Sequence, residues 1–173
     1  MTRRPSLLLA AALLATLSAC KKKVDENAAM PAGDGATLVG TWTTDGPVDF
    51  SGEGLRTSMA NGRTVYHPDR TFDYSGHLTI FGNALPTQGL SFAVTGKGRW
   101  QHEGTHLSED YTTVAIKSEG GGAAIDKLAA QLSKEMQDQP PTESTVVELT
   151  SGRLQLRDDV TERTTTFTRQ PIG

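Results

Sequence analysis

The chain has 173 residues, a formal charge of −3, 36% hydrophobic residues and a single cysteine. One cysteine excludes a disulfide within the chain, and a dispersed net negative charge argues against a nucleic-acid partner, which a basic patch would serve. About 135 residues lie beyond the N-terminal region, enough for one domain with its own core and too few for two.

Residues 1–19 have the layout of an export signal: Arg3 and Arg4 as a positive start, an apolar run from Leu7 to Thr16, and small residues before position 20. That run is about half of the roughly 20 apolar residues that a membrane-spanning helix needs, so it reads as a targeting segment. Its removal takes away Arg3 and Arg4 and leaves 154 residues with a net charge of −5.

Leu17-Ser18-Ala19-Cys20 resembles the lipobox of bacterial lipoproteins. The resemblance implies that Cys20 carries a diacylglycerol on its sulfur, becomes the first mature residue, and is acylated on its new amino group by a chain such as palmitate. One acyl chain gives only marginal membrane binding, at about 0.8 kcal/mol per buried CH₂, whereas the implied set would hold the protein firmly. Lys21 at the second mature position resembles outer-membrane lipoproteins of enterobacteria, which implies an outer-membrane anchor facing the periplasm. Lys21, Lys22 and Lys23 either sit near anionic headgroups or start a solvated tether. Val24 to Ala36 has small, polar, Gly and Pro residues without periodicity, so residues 20–36 are expected to be a lipidated flexible linker and 37–173 the folded domain.

Period-2 alternation dominates the rest. From Thr71 to Phe81, Phe72, Tyr74, Leu78 and Ile80 share one parity, with Asp73, Ser75, His77 and Thr79 on the other. The next run repeats this with Leu90, Phe92, Val94 and Trp100 opposite Ser91, Thr95, Lys97 and Arg99. Gly96 and Gly98 fall on the apolar parity, where a glycine marks a bend or a close approach. Turn signals separate the runs, which predicts eight strands near 38–44, 62–67, 71–81, 89–101, 105–117, 145–150, 153–158 and 161–169, with a further weak strand over 49–58. From Ala123 to Gln137, Ile125, Leu128, Ala129, Leu132 and Met136 recur at helical spacing between Gly120-Gly121-Gly122 and Pro140-Pro141. The three glycines read as a connector rather than as a phosphate site, since no lysine motif accompanies them. The expected fold is mainly β: an antiparallel eight-stranded barrel, up to nine strands, with one amphipathic helix near 123–137. A sandwich is the alternative.

Gly40-Thr41-Trp42 near the start of the domain and Phe167-Thr168-Arg169 near its end resemble the lipocalin and wider calycin pattern. The resemblance implies that Gly40, Trp42 and Arg169 close one end of the barrel, with the arginine packed across the indole. The helix lies between the fifth and sixth strands instead of after the last, so the chain is similar to a lipocalin-like domain of bacterial envelope proteins rather than to lipocalins proper. Eight-stranded barrels either fill with side chains or hold one small ligand. Phe72, Tyr74, Leu78, Ile80, Phe92, Val94 and Tyr111 are the candidate lining residues.

His102-Glu103-Gly104-Thr105-His106 matches H-E-x-x-H, a zinc motif that works on a helix, where positions four apart share a face. Here the letters straddle an expected hairpin turn. They read as solvated turn residues, with weak metal binding, Glu109 adding a carboxylate, as the alternative. His67 and His77 are expected on the surface. No cofactor is implied. The resulting expectation is a non-enzymatic, membrane-anchored barrel that binds a small hydrophobic molecule or lipid, or else a structural and interaction lipoprotein of the envelope without a ligand.

Overall fold

The computed structural model describes residues 36–52 and 55–171. Cys20, the export signal and the linker up to residue 35 lie outside the described residues. In chain order the elements are β1 (Gly40–Thr44), β2 (Val48–Gly52), β3 (Leu55–Tyr66), β4 (Thr71–Gly82), β5 (Leu90–Glu103), β6 (His106–Ser118), α1 (Ala123–Gln137), β7 (Thr142–Leu149), β8 (Arg153–Asp158) and β9 (Thr164–Arg169). The strands pair antiparallel in the order β1-β9-β8-β7-β6-β5-β4-β3-β2, and β1 also pairs with β3. That last pairing closes eight strands into a barrel and leaves β2 as a ninth beside it. The fold is therefore the expected barrel with one inserted helix, and not a sandwich.

Alternation decides which side chains face in. In β5, buried Phe92, Val94, Gly96, Gly98 and Trp100 alternate with exposed Ser91, Thr95, Lys97 and Arg99. Three irregularities interrupt the pairing. In β6, Lys97 pairs with Thr113 but Gly98 with Tyr111, so Thr112 is an extra residue and both Tyr111 and Val114 face in. In β3 the register shifts between Ala60 and Arg63, with Asn61 at φ 53°, and in β7 it shifts between Val146 and Glu148.

Some boundaries differ from the sequence reading. The segments read as a weak strand at 49–58 and a strand at 62–67 are two paired strands, β2 and β3. Asn61-Gly62 forms a bulge inside β3, and its broken alternation conceals the continuity. β7 starts at Thr142 rather than 145. β9 starts at Thr164 rather than 161, because the Asp158 carboxylate accepts the N–H groups of Val160 and Thr161 and holds a turn there.

Strand lengths divide the barrel into two levels. β3, β4, β5 and β6 run for 12 to 14 residues, whereas β1, β7, β8 and β9 run for five to eight. β6 pairs with β7 only over His106–Glu109. The closed ring is thus as tall as the short strands, and beyond it the four long strands stand as a curved trough. Along the part of β6 that β7 does not reach, α1 lies alongside: the Ile116 N–H donates to Ser133 Oγ at 2.8 Å, and Ala129 is buried. Ile125, Leu128, Leu132 and Met136 of α1 face Leu78, Ile80, Phe92, Val94, Val114 and Ile116 across the trough.

The closed end has its own cluster, around Leu38, Trp42, Phe72, Trp100, Leu107 and Leu154. Trp42 is wholly buried and stands opposite Arg169 in the β1–β9 register. The guanidinium lies 4.3 Å from the indole centre. Its Nη1 donates to the Val39 carbonyl at 2.8 Å and its Nη2 to that of Thr37. Gly40 has φ +141°, and a Cβ there would come within 2.5 Å of Arg169 Nη1, so glycine is the residue that fits.

Truncating Arg169 removes a cation over an aromatic ring and two charged donors, so Arg169→Ala is expected to cost about 2–3 kcal/mol in urea unfolding. Arg169→Lys should recover less than half of this, since an ammonium cannot stack and fork at once.

Candidate functional site

Where the closed ring gives way to the trough, the inner face carries four aromatic rings and one carboxylate. Tyr66 comes from β3, Phe72 and Tyr74 from β4, and Glu109 and Tyr111 from β6. Inward-facing glycines give the rings room. A Cβ on Gly96 would sit 2.6 Å from Tyr111 Cε1, one on Gly98 2.5 Å from Phe72 Cε1, and one on Gly76 2.6 Å from Tyr74 Oη. The rings consequently lie back against the wall in edge-to-face pairs: Phe72 and Tyr111 are 4.9 Å apart at 84°, Tyr74 and Tyr111 6.4 Å apart at 89°. Phe72 and Tyr66 are buried, yet Tyr74 and Tyr111, on the same inner face, are only partly so. Solvent therefore reaches the interior at this level.

Glu109 shares that space. Its Oε1 accepts a 2.9 Å hydrogen bond from Tyr66 Oη, the one hydrogen bond to this carboxylate among the described residues. Solvent touches part of the residue, and the water lost to the surrounding walls raises its pKa to about 7, the Tyr66 hydrogen bond acting the other way. Burial and then the Glu109 charge push Tyr74 up to about 12, and they raise Tyr66 and Tyr111 well above the ordinary tyrosine value.

The candidate lining residues fall into two groups. Phe72, Tyr74 and Tyr111 share the inner face with Glu109, whose charge acts on both tyrosines. Leu78, Ile80, Phe92 and Val94 lie further along the trough under α1, with Phe92 and Val94 sealed from solvent. The apolar stripe of α1 is itself only partly buried, as are Met59, Leu85 and Leu90 near it. Sequence reasoning set Glu109 aside as a spare carboxylate and passed over Tyr66. Glu109 shares parity with Leu107 and Tyr111 in the same strand, a signal that points inward.

The H-E-x-x-H letters part company. The hairpin turns at Gly104, whose φ is +59°, and pairs Glu103 with His106 and His102 with Leu107. Leu107 is in the core, so His102 faces in and His106 faces out, where its ring meets Glu143 at 2.9 Å and Asp159 at 3.7 Å. Two imidazoles on opposite faces of a hairpin do not share an ion, and among the described residues no group of three or more His, Cys, Asp or Glu could hold a metal. The expected solvated turn is corrected at His102: the residue is half-buried, its Nε2 is enclosed without a partner among the described residues, and burial followed by the Arg70 charge lowers its pKa. His67 and His77 are on the outer face, hydrogen-bonded to Asp73 at 2.8 Å and Glu119 at 3.1 Å.

No protein-family model matches this chain, and no curated protein matches it.

Glu109 makes a pH signature. Its folded-state pKa lies above the ordinary 4.5, so its contribution to stability is complete below about pH 4.5 and is lost as pH rises through 7. Glu109→Gln should leave the melting temperature near pH 4.5 almost unchanged and raise stability at pH 8 by up to about 3 kcal/mol. Parallel stability profiles from pH 4 to 8 for both proteins would show that the carboxyl group titrates normally.

Proposed function

We propose that this chain is a lipoprotein anchored in the outer membrane through Cys20, facing the periplasm, whose barrel binds one small hydrophobic molecule or lipid without acting as an enzyme. The lipobox-like Leu17-Ser18-Ala19-Cys20 and the preceding signal-like segment support the anchor. The observation that carries the binding reading is at the mouth of the barrel. Tyr74 and Tyr111 face inward, and Ile125, Leu128, Leu132 and Met136 line the trough, yet all six remain partly open to solvent, as do Met59, Leu85 and Leu90 near them, while Phe92 and Val94 beneath are sealed. Apolar surface kept wet in a concave site is what a small-molecule pocket presents.

A structural lipoprotein without a ligand is the second reading, and the tightly filled closed end around Trp42 and Leu154 favours it. Native mass spectrometry of the mature protein from its own host, before and after organic extraction, separates the two. A unit-stoichiometric apolar mass lost on extraction is expected. An empty barrel that also ignores an uncharged fluorescent apolar probe would favour the structural role. In the same host, Cys20→Ala is expected to abolish the lipid mass and leave the chain unprocessed on a gel.

A further inference from the structure

Glu109 and the rings around it restrict what an occupant can be. Glu109 Oε1 is taken by Tyr66, and among the described residues Oε2 receives no hydrogen bond from the protein. The rings of Tyr74 and Tyr111 stand edge to face beside it, and Phe72 packs on Tyr111. A carboxylate among aromatic rings matches an organic cation, which gains both the opposite charge and the negative faces of the rings. Among the described residues an anionic head would find no lysine or arginine side chain on the inner face of the long strands. The basic side chains of the long strands, Arg56, Arg63, Lys97, Arg99 and Lys117, are exposed and share parity with the outer positions, while Arg169 is committed to Trp42 at the closed end. Beyond Glu109 the trough is apolar, through Met59, Leu78, Leu128 and Leu132.

We infer that the barrel's ligand is an amphiphile with a cationic amine or ammonium head, seated against Glu109 between Tyr66, Tyr74 and Tyr111, its apolar tail lying along the trough under α1. This rests on the binding reading above and goes further by naming the head group. It excludes fatty-acid anions as the preferred occupant.

The test uses the mature lipidated chain in nanodiscs, with empty nanodiscs as the reference, and three probes of equal tail below their micellar concentrations: octyltrimethylammonium, octanol and octanoate. Titration calorimetry is expected to show the cation binding at least about tenfold more tightly than octanoate, with octanol between them. Glu109→Gln should abolish the preference for the cation and retain octanol. Tyr111→Leu, which leaves the carboxyl group in place, should weaken the cation several-fold more than octanol. If octanoate equals the cation in the unaltered protein, or if Glu109→Gln keeps the preference, the head-group assignment falls while binding of octanol leaves the barrel's binding role standing. Should none of the three probes bind, the binding reading falls and the head group with it. The probe series on the unaltered protein decides the matter even where a variant does not fold.

Discussion

Closure is the constraint on which everything else in this domain rests. A meander of antiparallel strands has two open edges unless its first strand finds its last. Here five residues of β1 satisfy both sides, pairing with β3 through Gly40–Thr43 and with β9 through Trp42–Thr44. So short a strand has little backbone pairing with which to hold two neighbours. The side chains reinforce it: Trp42 fills the end of the barrel, and Arg169 lies on the indole while tying down the carbonyls of Val39 and Thr37. Gly40 is the accommodation this requires, since a side chain there would displace the guanidinium.

The mismatch in strand length turns that closed ring into a vessel. Short strands on one side and long strands on the other leave the upper part of the wall incomplete, and α1 covers the edge of β6 that a longer β7 would have paired. Interior packing differs accordingly. At the closed end, large side chains interdigitate and exclude water. At the rim, glycines under the rings of Phe72, Tyr74 and Tyr111 let the aromatics recline, so a region rich in large residues still keeps space. Glu109 sits at this boundary, close enough to the apolar walls for its ionisation to be suppressed and close enough to solvent for its charge to be reached.

Much of this was legible in the sequence, and the residues show why. Strict alternation in β4 and β5 reports a wall with one dry side, so the inward sets were correctly identified, and α1 matched its expected span of Ala123 to Gln137. The Gly-x-Trp and the late arginine pointed to a pairing that the register makes direct. Bulges defeated the reading elsewhere: Asn61-Gly62 splits β3 into two apparent segments, and an extra residue at Thr112 shifts the parity of β6 halfway along. Charge misled it at Glu109, because a carboxylate on an inward position is discounted until its neighbours are known. His102 was misplaced for the opposite reason. The turn at Gly104 was right, but its two-residue length sends the flanking histidines to different faces.

The ladder between β1 and β9 joins residues at opposite ends of the domain, Trp42 and Arg169. Contacts so distant along the chain are slow to form, because the loop they close carries its full entropic cost before any reward. Until β9 is in place, β8 and the outer side of β1 present unpaired edges, which invite strands from other chains. A chain stopped before Thr164 would keep the buried residues of both hydrophobic clusters and still be unable to seal itself. The period of greatest risk for this domain is therefore the interval before β9 arrives, and Thr164–Arg169 protect it from its own copies more than they add to its buried core.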